Sequence, residues 1–518
     1  MRTARLIGCL VTVVLALTLA VVLAIQWLQF ALGLAGNTVP AALFVWLVFG
    51  VNLTVWLTVG LVRGIDDGAR GFTRRRRLRA IQQPVIAPSS RIRQRILPDR
   101  SPEAPEAPEV KEIQEAQEIA VPATYPQNAA TTPAPEGGTA AAPNSIGVIV
   151  PAHNEEPVIG AAVRSALRLF KRWDIYVVSD SSQDATADIA AATGVNVLEL
   201  LSNRGKAGAI EAVISEFNLV NTYDAVVILD ADTELDQHYI SGVRRQLEDP
   251  QVAAVAGLVV AEWKPWERTL VGRLISAYRD RLYLMLQYLM RFGQTWRFTN
   301  TTFIVPGFAS TYRTSTLREI DVNPKGLVIE DFNMTFDVHR KRLGRISMSP
   351  NASAVCQDPF TIGDYVRQVR RWTLGFWQTV RLHGIWPSLF WFALLCYLAE
   401  VLLVAILLLS ATLLTALTVL PLLVGDMVLG AGAYAAAYAA VTAVLPLPVL
   451  LVGLLVPDYV LTCVVAALRR RPSYLIYGLF FLPLRLVDSY LVLRTLPQAW
   501  RSSSDGRWRS PGRKAARL

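Results

Sequence analysis

Long apolar stretches near both ends of the chain limit its fold more than any other feature of the sequence. Residues 6–31 and 40–62 are each long and apolar enough to cross a bilayer, and residues 386–468 are almost continuously apolar. The chain of 518 residues is 53% hydrophobic with a mean hydropathy of +0.35, which is too apolar for a soluble protein of this size. The sequence therefore predicts a multi-pass protein of the lipid bilayer.

Arginine residues beside the apolar stretches predict how the chain is oriented. Arg2 and Arg5 precede the first two stretches, and "RGFTRRRRLR" (70–79) follows them. The positive-inside rule therefore places both flanks in the cytoplasm. The expected location is the inner or plasma membrane of the cell. The first stretch is too long for a signal peptide and lacks a small-residue cleavage site. Because the net charge of +10 comes largely from such clusters, without a basic stripe interleaved with exposed aromatic residues, no nucleic acid partner is expected.

The composition divides the chain into five segments. We predict two N-terminal transmembrane helices (1–65), a linker that is basic and then acidic and Pro/Ala-rich (66–144), a cytoplasmic α/β domain with interface helices (145–385), C-terminal transmembrane and interfacial helices (386–497) and a basic cytoplasmic tail (498–518). Most of the linker has too few apolar residues to form a core, so it is expected to be a disordered tether.

Two arrangements of the C-terminal helices are compatible with the sequence. If the arginines of 469–471 and the tail are both cytoplasmic, residues 386–468 hold an even number of spans and 473–496 is re-entrant or interfacial. If 473–496 instead spans the bilayer, the arginine loop faces outside.

Strand and helix patterns alternate from residue 145 to about 260. The segments "SIGVIVPAH", "DIYVVSD", "VNVLEL", "DAVVILDAD" and "VAAVAGLVV" are typical of buried strands, and amphipathic stretches separate most of them. This alternation predicts an α/β fold with a mostly parallel sheet. Ligands of such sheets bind at the carboxyl ends of the strands, which is where His153, Asn154, Glu155, Asp180 and the pair at 230 and 232 fall.

Asp230 and Asp232 form an Asp-x-Asp pair at the end of an apolar strand pattern. Residues i and i+2 of a strand point to the same side, so the pair can direct two carboxylates at one point. Mg²⁺ or Mn²⁺ shared with substrate phosphates suits such a pair, because these ions prefer oxygen ligands and retain several waters. The same pair also fits two turn aspartates that begin the next helix.

Two further motifs carry groups suited to transfer chemistry. Glu330 and Asp331 fall at the predicted start of a helix, where a carboxylate serves either as a general base on a hydroxyl or as a helix cap. Gln368, Arg371 and Trp372 fall on an amphipathic helix just before the membrane. There the arginine could neutralise a diphosphate and the tryptophan could stack on a sugar, or both could belong to an interface belt.

In this order and spacing the motifs resemble those of the membrane-integrated, processive family 2 glycosyltransferases, which include cellulose, chitin, hyaluronan and poly-N-acetylglucosamine synthases. The resemblance rests on "VIVPAHNEE", "VSDSSQD", "NRGKAGAI", "LDADTELD", "VIEDF" and "QVRRW", and covers roughly residues 145–385. It implies a cytoplasmic α/β domain of the GT-A type, which binds a nucleotide sugar and is inserted between N- and C-terminal transmembrane helices.

The resemblance also implies roles for individual residues. The uridine is held by Pro151, Asn154, Glu155 and Asp180, and Lys206 lies near the nucleotide. The metal, Mg²⁺ or Mn²⁺, is bound by Asp230 and Asp232, of which Asp230 also belongs to the nucleotide-sugar site. The catalytic residues are Asp331, which acts as the general base, and its neighbour Glu330. The residues that line the acceptor and diphosphate sites are Gln368, Arg371 and Trp372. Ile329 departs from the family pattern, which has threonine before Glu-Asp, and this leaves the acceptor's identity open.

The predicted reaction is an inverting transfer from a UDP-sugar, with UDP-N-acetylglucosamine favoured, that extends a β-linked polysaccharide and moves it across the membrane. The alternative is a single transfer to a lipid or protein acceptor, which would use the same donor residues. The expected partners are thus the UDP-sugar, a polysaccharide or lipid-linked acceptor, and the bilayer. The alternative from a different functional class is a non-catalytic membrane transporter or scaffold. The complete set of charged site residues argues against this alternative.

Overall fold

The structure, a computed structural model, describes residues 50–81, 145–504 and 506. The first predicted span, the first half of the second, residues 82–144 of the predicted tether and the tail beyond Gly506 lie outside the described residues. The chain divides into two units, residues 1–66 with 140–518 and residues 67–139. In the smaller unit the structure describes only residues 67–81, which belong to the first described helix.

Eight strands form one sheet within the described residues: β1 (Ile146–Ala152), β2 (Ile175–Asp180), β3 (Asn196–Leu200), β4 (Ala225–Leu229), β5 (Thr233–Leu235), β6 (Val252–Ala261), β7 (Ala309–Arg313) and β8 (Arg345–Cys356). The α-helices are α1 (Val51–Ile81), α2 (Glu156–Leu167), α3 (Thr186–Ala191), α4 (Gly205–Glu216), α5 (Leu219–Thr222), α6 (Tyr239–Leu247), α7 (Leu270–Leu284), α8 (Phe292–Gln294), α9 (Thr314–Leu317), α10 (Asp331–Arg340), α11 (Ile362–His383), α12 (Leu389–Val424), α13 (Gly432–Val444), α14 (Leu447–Arg469), α15 (Ser473–Gly478) and α16 (Phe481–Arg501). A π-helical turn, Met285–Arg291, joins α7 to α8.

The strand order is β3-β2-β1-β4-β7-β6-β8-β5. The pairs β2–β3, β1–β2, β1–β4 and β6–β8 are parallel, whereas β4–β7, β6–β7 and β5–β8 are antiparallel. The predicted α/β fold with a mostly parallel sheet is confirmed, and the five predicted strands are β1 to β4 and β6. The antiparallel β7 inserts between β4 and β6 and so joins the two parallel parts of the sheet.

Apolar side chains cover both faces of the sheet. Alternate residues of a strand point to opposite faces, so Val148 and Val150 pack in one apolar layer and Ile149 in the other. The first layer includes residues of α2 and α6, and the second includes residues of α4 and α10. Strands that are buried on both faces have continuous apolar sequences, so these strands could be predicted from the sequence.

The C-terminal helices adjoin the α/β domain. Among the described residues, α12 and α14 are long and apolar enough to cross a membrane, and both lie within the apolar stretch predicted from the sequence. Helix α16, which contains Arg485 and Asp488, packs against α11 and α12. Aromatic residues of α11 and α12, including Trp377 and Trp391, share one buried cluster with Ala499 of α16. The amphipathic helix predicted from "DYVRQVRRWTLGFWQ" is therefore fixed directly to the apolar helices.

Candidate active site

A cavity of about 450 Å³ lies between the sheet and the C-terminal helices. Eight residues that the sequence analysis selected line it: Lys206, Asp230, Asp232, Glu330, Asp331, Gln368, Arg371 and Trp372. They come from α4, the turn after β4, the start of α10 and helix α11. Positions that are far apart in the sequence thus converge on one enclosed space.

The Asp-x-Asp pair lies in a turn and not in a strand. Strand β4 ends at Leu229 and β5 begins at Thr233, so the expectation that strand geometry aligns the two carboxylates is wrong, as is the alternative that the pair begins a helix. The backbone N–H of Asp230 donates to Phe308 at 2.8 Å, and the N–H of Thr233 donates back to Asp230 at 3.0 Å. This tight turn brings Asp230 and Asp232 to the same cavity.

Lys206 joins two carboxylates of the cavity. Its Nζ lies 2.7 Å from Asp230 Oδ1 and 2.9 Å from Glu330 Oε1, and it donates to the carbonyl of Gly307 at 3.1 Å. Burial opposes charge on the amine, yet the two carboxylates raise the pKa of Lys206 above its ordinary value. Burial likewise opposes ionisation of Glu330, but Lys206 holds the pKa of that carboxyl below its usual range. Both groups of this pair are therefore charged at neutral pH.

Asp331 differs from Glu330 because it forms no salt bridge with a described residue, whereas Glu330 pairs with Lys206. Its Oδ1 accepts from the N–H of Phe332 at 2.7 Å and its Oδ2 from the N–H of Gly307 at 3.2 Å. Burial, together with the negative charge of Glu330, raises the pKa of Asp331 to about 7. Two adjacent carboxyl groups thus have pKa values shifted in opposite directions, which is the pattern expected of a proton-transfer site.

Gly307 allows these groups to approach one another. A Cβ at this position would lie 2.8 Å from Lys206 Nζ and 3.1 Å from Glu330 Oε1, so any side chain would displace the ion pair.

Helix α11 presents its three predicted residues to the cavity. Gln368 and Trp372 are four residues apart and share a face of the helix. Arg371 also lines the cavity, forms no salt bridge with another described residue, and contributes to the lowered pKa of Glu330. An arginine that has no carboxylate partner among the described residues, and that shares a cavity with Asp230 and Asp232, is well suited to bind a phosphate group.

A buried arginine that was not predicted from the sequence also lines the cavity and contacts helix α11. Arg279 of α7 is only 3% exposed and donates from Nη1 to Gln368 Oε1 at 2.6 Å. Cys356, close to Asp232, and the segment after α16, including Ser504, are two further unpredicted parts of the cavity lining. None of these residues belongs to a motif or a hydrophobic period, so the sequence carried no signal for them.

The four residues predicted to hold uridine lie outside the lining of the cavity. They occupy the carboxyl ends of β1 and β2, where Asp180 is fully buried and accepts from the N–H groups of Arg204 and Gly205 at 2.7 and 2.8 Å. Because Lys206 follows directly, these bonds tie the Asp180 loop to the ion-pair cluster. The others are Pro151, which pairs with Val178; Asn154, whose Oδ1 accepts from the N–H of Gln183; and the buried Glu155.

The cavity's oxygen ligands fit a divalent cation only in part. Within residues 50–81, 145–504 and 506, no group of three or more histidine, cysteine, aspartate or glutamate side chains is arranged to hold a metal. Asp230 and Asp232 supply two carboxylates, and one of them is also engaged by Lys206. Mg²⁺ and Mn²⁺ accept such incomplete sets, because substrate phosphates and waters complete their coordination.

Part of the chain is similar in sequence to known proteins. Residues 147–320 match the sequence profile described as glycosyl transferase family 2. The chain is 26% identical over 231 residues to a poly-β-1,6-N-acetyl-D-glucosamine synthase of Staphylococcus aureus, and 26% identical over 244 residues to a probable glycosyltransferase of Bacillus subtilis. These alignments cover 43% and 44% of this chain and 52% and 54% of the relatives, so the chain spans about half the length of the curated relatives that it matches.

Solved structures include two glycosyl-transferring enzymes that resemble the chain. A mannosyltransferase of Pyrobaculum calidifontis, solved with GDP-Man and Mn²⁺, is 19% identical, with 69% of this chain and 91% of that chain covered and a TM-score of 0.41. A glucosyl-3-phosphoglycerate synthase of Mycobacterium tuberculosis is 16% identical, with 47% and 80% covered and a TM-score of 0.31. The profile match over residues 147–320 coincides with strands β1 to β7 of the observed sheet, so this part of the chain is similar to a glycosyl transferase family 2 domain.

Proposed function

We propose that this enzyme extends a β-linked polysaccharide from a UDP-sugar at the cytoplasmic face of the cell membrane and passes the product between its own membrane helices. The observation that carries the proposal is a second cavity, of about 380 Å³, beside the first. The two cavities share Leu286, Met290 and Tyr397 in their linings. A product formed at Asp331 would therefore have an adjoining space that leads among the apolar helices.

Polar groups line the second cavity although apolar helices surround it. Asp458 of α14 pairs with Arg281 at 2.9 Å and with Arg485 at 2.8 Å, and Asp488 accepts from the hydroxyl of Tyr278 at 2.7 Å. Ionisable residues inside a membrane protein are costly and mark substrate pathways. Paired charges and hydroxyls of this kind can exchange hydrogen bonds with the hydroxyls of a sugar chain, which supports a carbohydrate as the transported product.

The charged groups of the first cavity support an inverting transfer. Asp331 accepts the proton of the acceptor hydroxyl, whose oxygen forms a bond to the anomeric carbon while the bond between that carbon and the UDP oxygen breaks. Arg371 lies where it can stabilise the negative charge that develops on the diphosphate. A divalent cation held by Asp230 and Asp232 would supply further positive charge to that leaving group. Burial, together with the charge of Glu330 that Lys206 holds ionised, keeps the pKa of Asp331 near neutrality.

The donor that we propose is UDP-N-acetylglucosamine. The support is the identity of 26% to the Staphylococcus aureus synthase, whose name specifies a polymer of N-acetyl-D-glucosamine. The proposed orientation is multi-pass with the GT-A domain in the cytoplasm. Its support is the arginine-rich sequence around residues 70–79 and the two candidate spans in α12 and α14.

The proposed base gives a defined pH dependence. Asp331 must be ionised to accept a proton, and its pKa is raised to about 7. We expect kcat/KM for the acceptor to rise about tenfold per pH unit below that pKa and to level off above it. Initial rates of transfer between about pH 5.5 and 9, at fixed cation and donor concentrations, measure this profile. A profile that is already flat at about pH 5.5 would show that Asp331 is not the titrating base.

Release of UDP tests the function itself. Purified protein in lipid vesicles would be given each common UDP-sugar with Mg²⁺, with Mn²⁺ or with EDTA, and any product would be sized. Cation-dependent release with one donor, together with long product, is the expected result. Release accompanied by single additions would favour transfer to a lipid or protein acceptor, and release of UDP that EDTA leaves unchanged would remove the cation from the mechanism.

A further inference from the structure

Arg279 contacts three separate elements around the acceptor side of the cavity. Its Nε lies 3.2 Å from Asp358 Oδ1, beyond the end of β8, and both side chains are almost completely buried. Its Nη1 donates to Gln368 Oε1 at 2.6 Å, and its Cζ lies 4.5 Å from the centre of the Trp372 ring. The guanidinium also donates to the hydroxyl of Tyr283, one helical turn along α7.

Helical spacing explains why one arginine reaches both residues of α11. Gln368 and Trp372 are separated by four positions and lie on the same face of their helix, and Arg279 and Tyr283 are related in the same way on α7. A guanidinium has several donors in one plane and can also cover an aromatic ring with its face. Arg279 uses both properties, since it binds the amide of Gln368 along its edge and lies over the ring of Trp372.

The contact also decides which part of Gln368 is available to a ligand. A guanidinium only donates, so Gln368 must offer its oxygen to Arg279 and is left with its amide Nε2 as a donor. This nitrogen has no hydrogen-bond partner within the described part of the chain, and Gln368 lines the cavity. Trp372 lines the same cavity, with the cation of Arg279 over its ring.

From this geometry we propose that Arg279 is a positioning residue for the acceptor sugar. It holds the amide of Gln368 as a donor toward an acceptor oxygen and fixes the ring of Trp372 as a stacking surface for the sugar. The inference rests on the proposed function, because it takes the ligand beside Gln368 and Trp372 to be a carbohydrate acceptor. Asp358 holds the guanidinium from the opposite side, so the orientation does not depend on the ligand.

The chain offers a matched control in Arg268. This arginine is equally buried at 3%, pairs with Glu262 at 3.3 Å, and donates to the carbonyl of Asp358 at 3.0 Å. It does not line the cavity. Comparison of Arg279→Lys with Arg268→Lys therefore separates the acceptor role from the general cost of altering a buried arginine near Asp358.

The test compares transfer to an acceptor with transfer to water. UDP release from UDP-N-acetylglucosamine would be measured with and without a β-1,6-linked N-acetylglucosamine trimer. In Arg279→Lys we expect the KM for the trimer to rise at least about tenfold, the effect of losing one charge-assisted hydrogen bond, while release without trimer stays within about twofold. In Arg268→Lys both quantities should remain close to those of the wild-type protein.

Two variants of Gln368 keep the inference testable if Arg279→Lys folds poorly. Gln368→Glu retains an oxygen for Arg279 but loses the amide donor, so it should fold normally and raise the KM for the trimer. The effects of Arg279→Lys and Gln368→Ala should be non-additive in the double variant, because one acts through the other.

Several results would overturn the inference. One is that Arg279→Lys lowers transfer to the trimer and UDP release without trimer by the same factor, and another is that Arg279→Lys and Arg268→Lys have equal effects. The others are an unchanged KM for the trimer in Gln368→Glu and additive effects in the double variant. Absence of UDP release by the wild-type protein with every UDP-sugar would instead overturn the proposed function, and with it the acceptor role.

Discussion

Substitution of Asp331 by asparagine is expected to lower the rate of sugar transfer about 10³-fold, while the affinity for UDP changes little. General-base catalysis contributes about 10²- to 10⁴-fold, and an amide cannot accept the proton that Asp331 takes from the acceptor. Asparagine has nearly the same shape, and its single side-chain oxygen still accepts from one of the two N–H groups, that of Phe332 or that of Gly307, so the fold of the cavity should largely persist. The loss should therefore appear in kcat at saturating donor and acceptor.

Asp337→Asn is the matched control for this substitution. Asp337 lies on the same helix α10 and is 5% exposed, but it accepts from the N–H of Asp321 and pairs with Lys341 away from the cavity. Transfer rates and UDP affinity of both variants would be measured in the same vesicles. If Asp331→Asn keeps more than about a tenth of the wild-type rate, or if Asp337→Asn loses as much, Asp331 is not the base.

Most of the strands that were predicted from the sequence are buried on both faces of the sheet. Strands β1, β2 and β4 consist almost entirely of buried apolar residues, which makes their pattern unmistakable. Strands β7 and β8 were not predicted. The first is the polar "ASTYR", and the second contains Pro350 and Asn351, both exposed, at an irregularity of its pairing with β6. A mixed polar sequence acquires strand conformation here from its neighbours in the sheet.

The candidate site was predicted where chemistry alone identifies a residue. Carboxylates at strand and helix ends, such as Asp230 and Asp331, are unusual enough to be noticed without a structure. The role of Arg279 was not visible, because a buried arginine within "LVGRLISAYRDRLYL" looks like a surface residue of an amphipathic helix. Its importance comes from Asp358 and Gln368, more than 75 positions away, and such pairings are set by tertiary packing.

The Asp-x-Asp pair is a second case in which tertiary contacts could not be predicted from the sequence. The sequence indicated that both carboxylates face one point, and both do line one cavity. The reason inferred from the sequence was strand alternation, whereas the structure has a turn that is closed by the bond from the N–H of Thr233 to the carbonyl of Asp230 and is held in place by the bond from the N–H of Asp230 to Phe308. Phe308 lies 78 residues after Asp230 in the sequence, directly before β7, so this partner could not be identified from the local pattern.

Lys206→Met is expected to destabilise the protein by about 3 kcal/mol, because it removes a cation that contacts both Asp230 and Glu330. Breaking a buried ion pair costs about 3–5 kcal/mol, and the lower value applies because the side chain of Asp230 is 30% exposed. The melting temperature should fall by several degrees in EDTA, where no divalent cation replaces the lysine. The double variant Lys206→Met/Glu330→Gln should recover much of this loss, because Glu330 is the more deeply buried of the two carboxylates.

The destabilisation should also depend on pH in a direction that the ion pair determines. In the wild-type protein Lys206 holds the pKa of Glu330 below its usual value. The ion pair therefore stabilises the fold fully at pH values above the pKa that Glu330 has in the unfolded chain. This stabilisation is lost as the pH falls through the lower pKa that Glu330 has in the folded protein. Without the lysine, burial dominates and the pKa of Glu330 rises, so ionised Glu330 opposes folding at neutral pH. The difference in melting temperature between wild type and Lys206→Met should therefore be larger at about pH 8 than at about pH 5. An equal difference at both values, with no recovery in the double variant, would mean that Lys206 stabilises the fold through its packed alkyl chain and not through its charge.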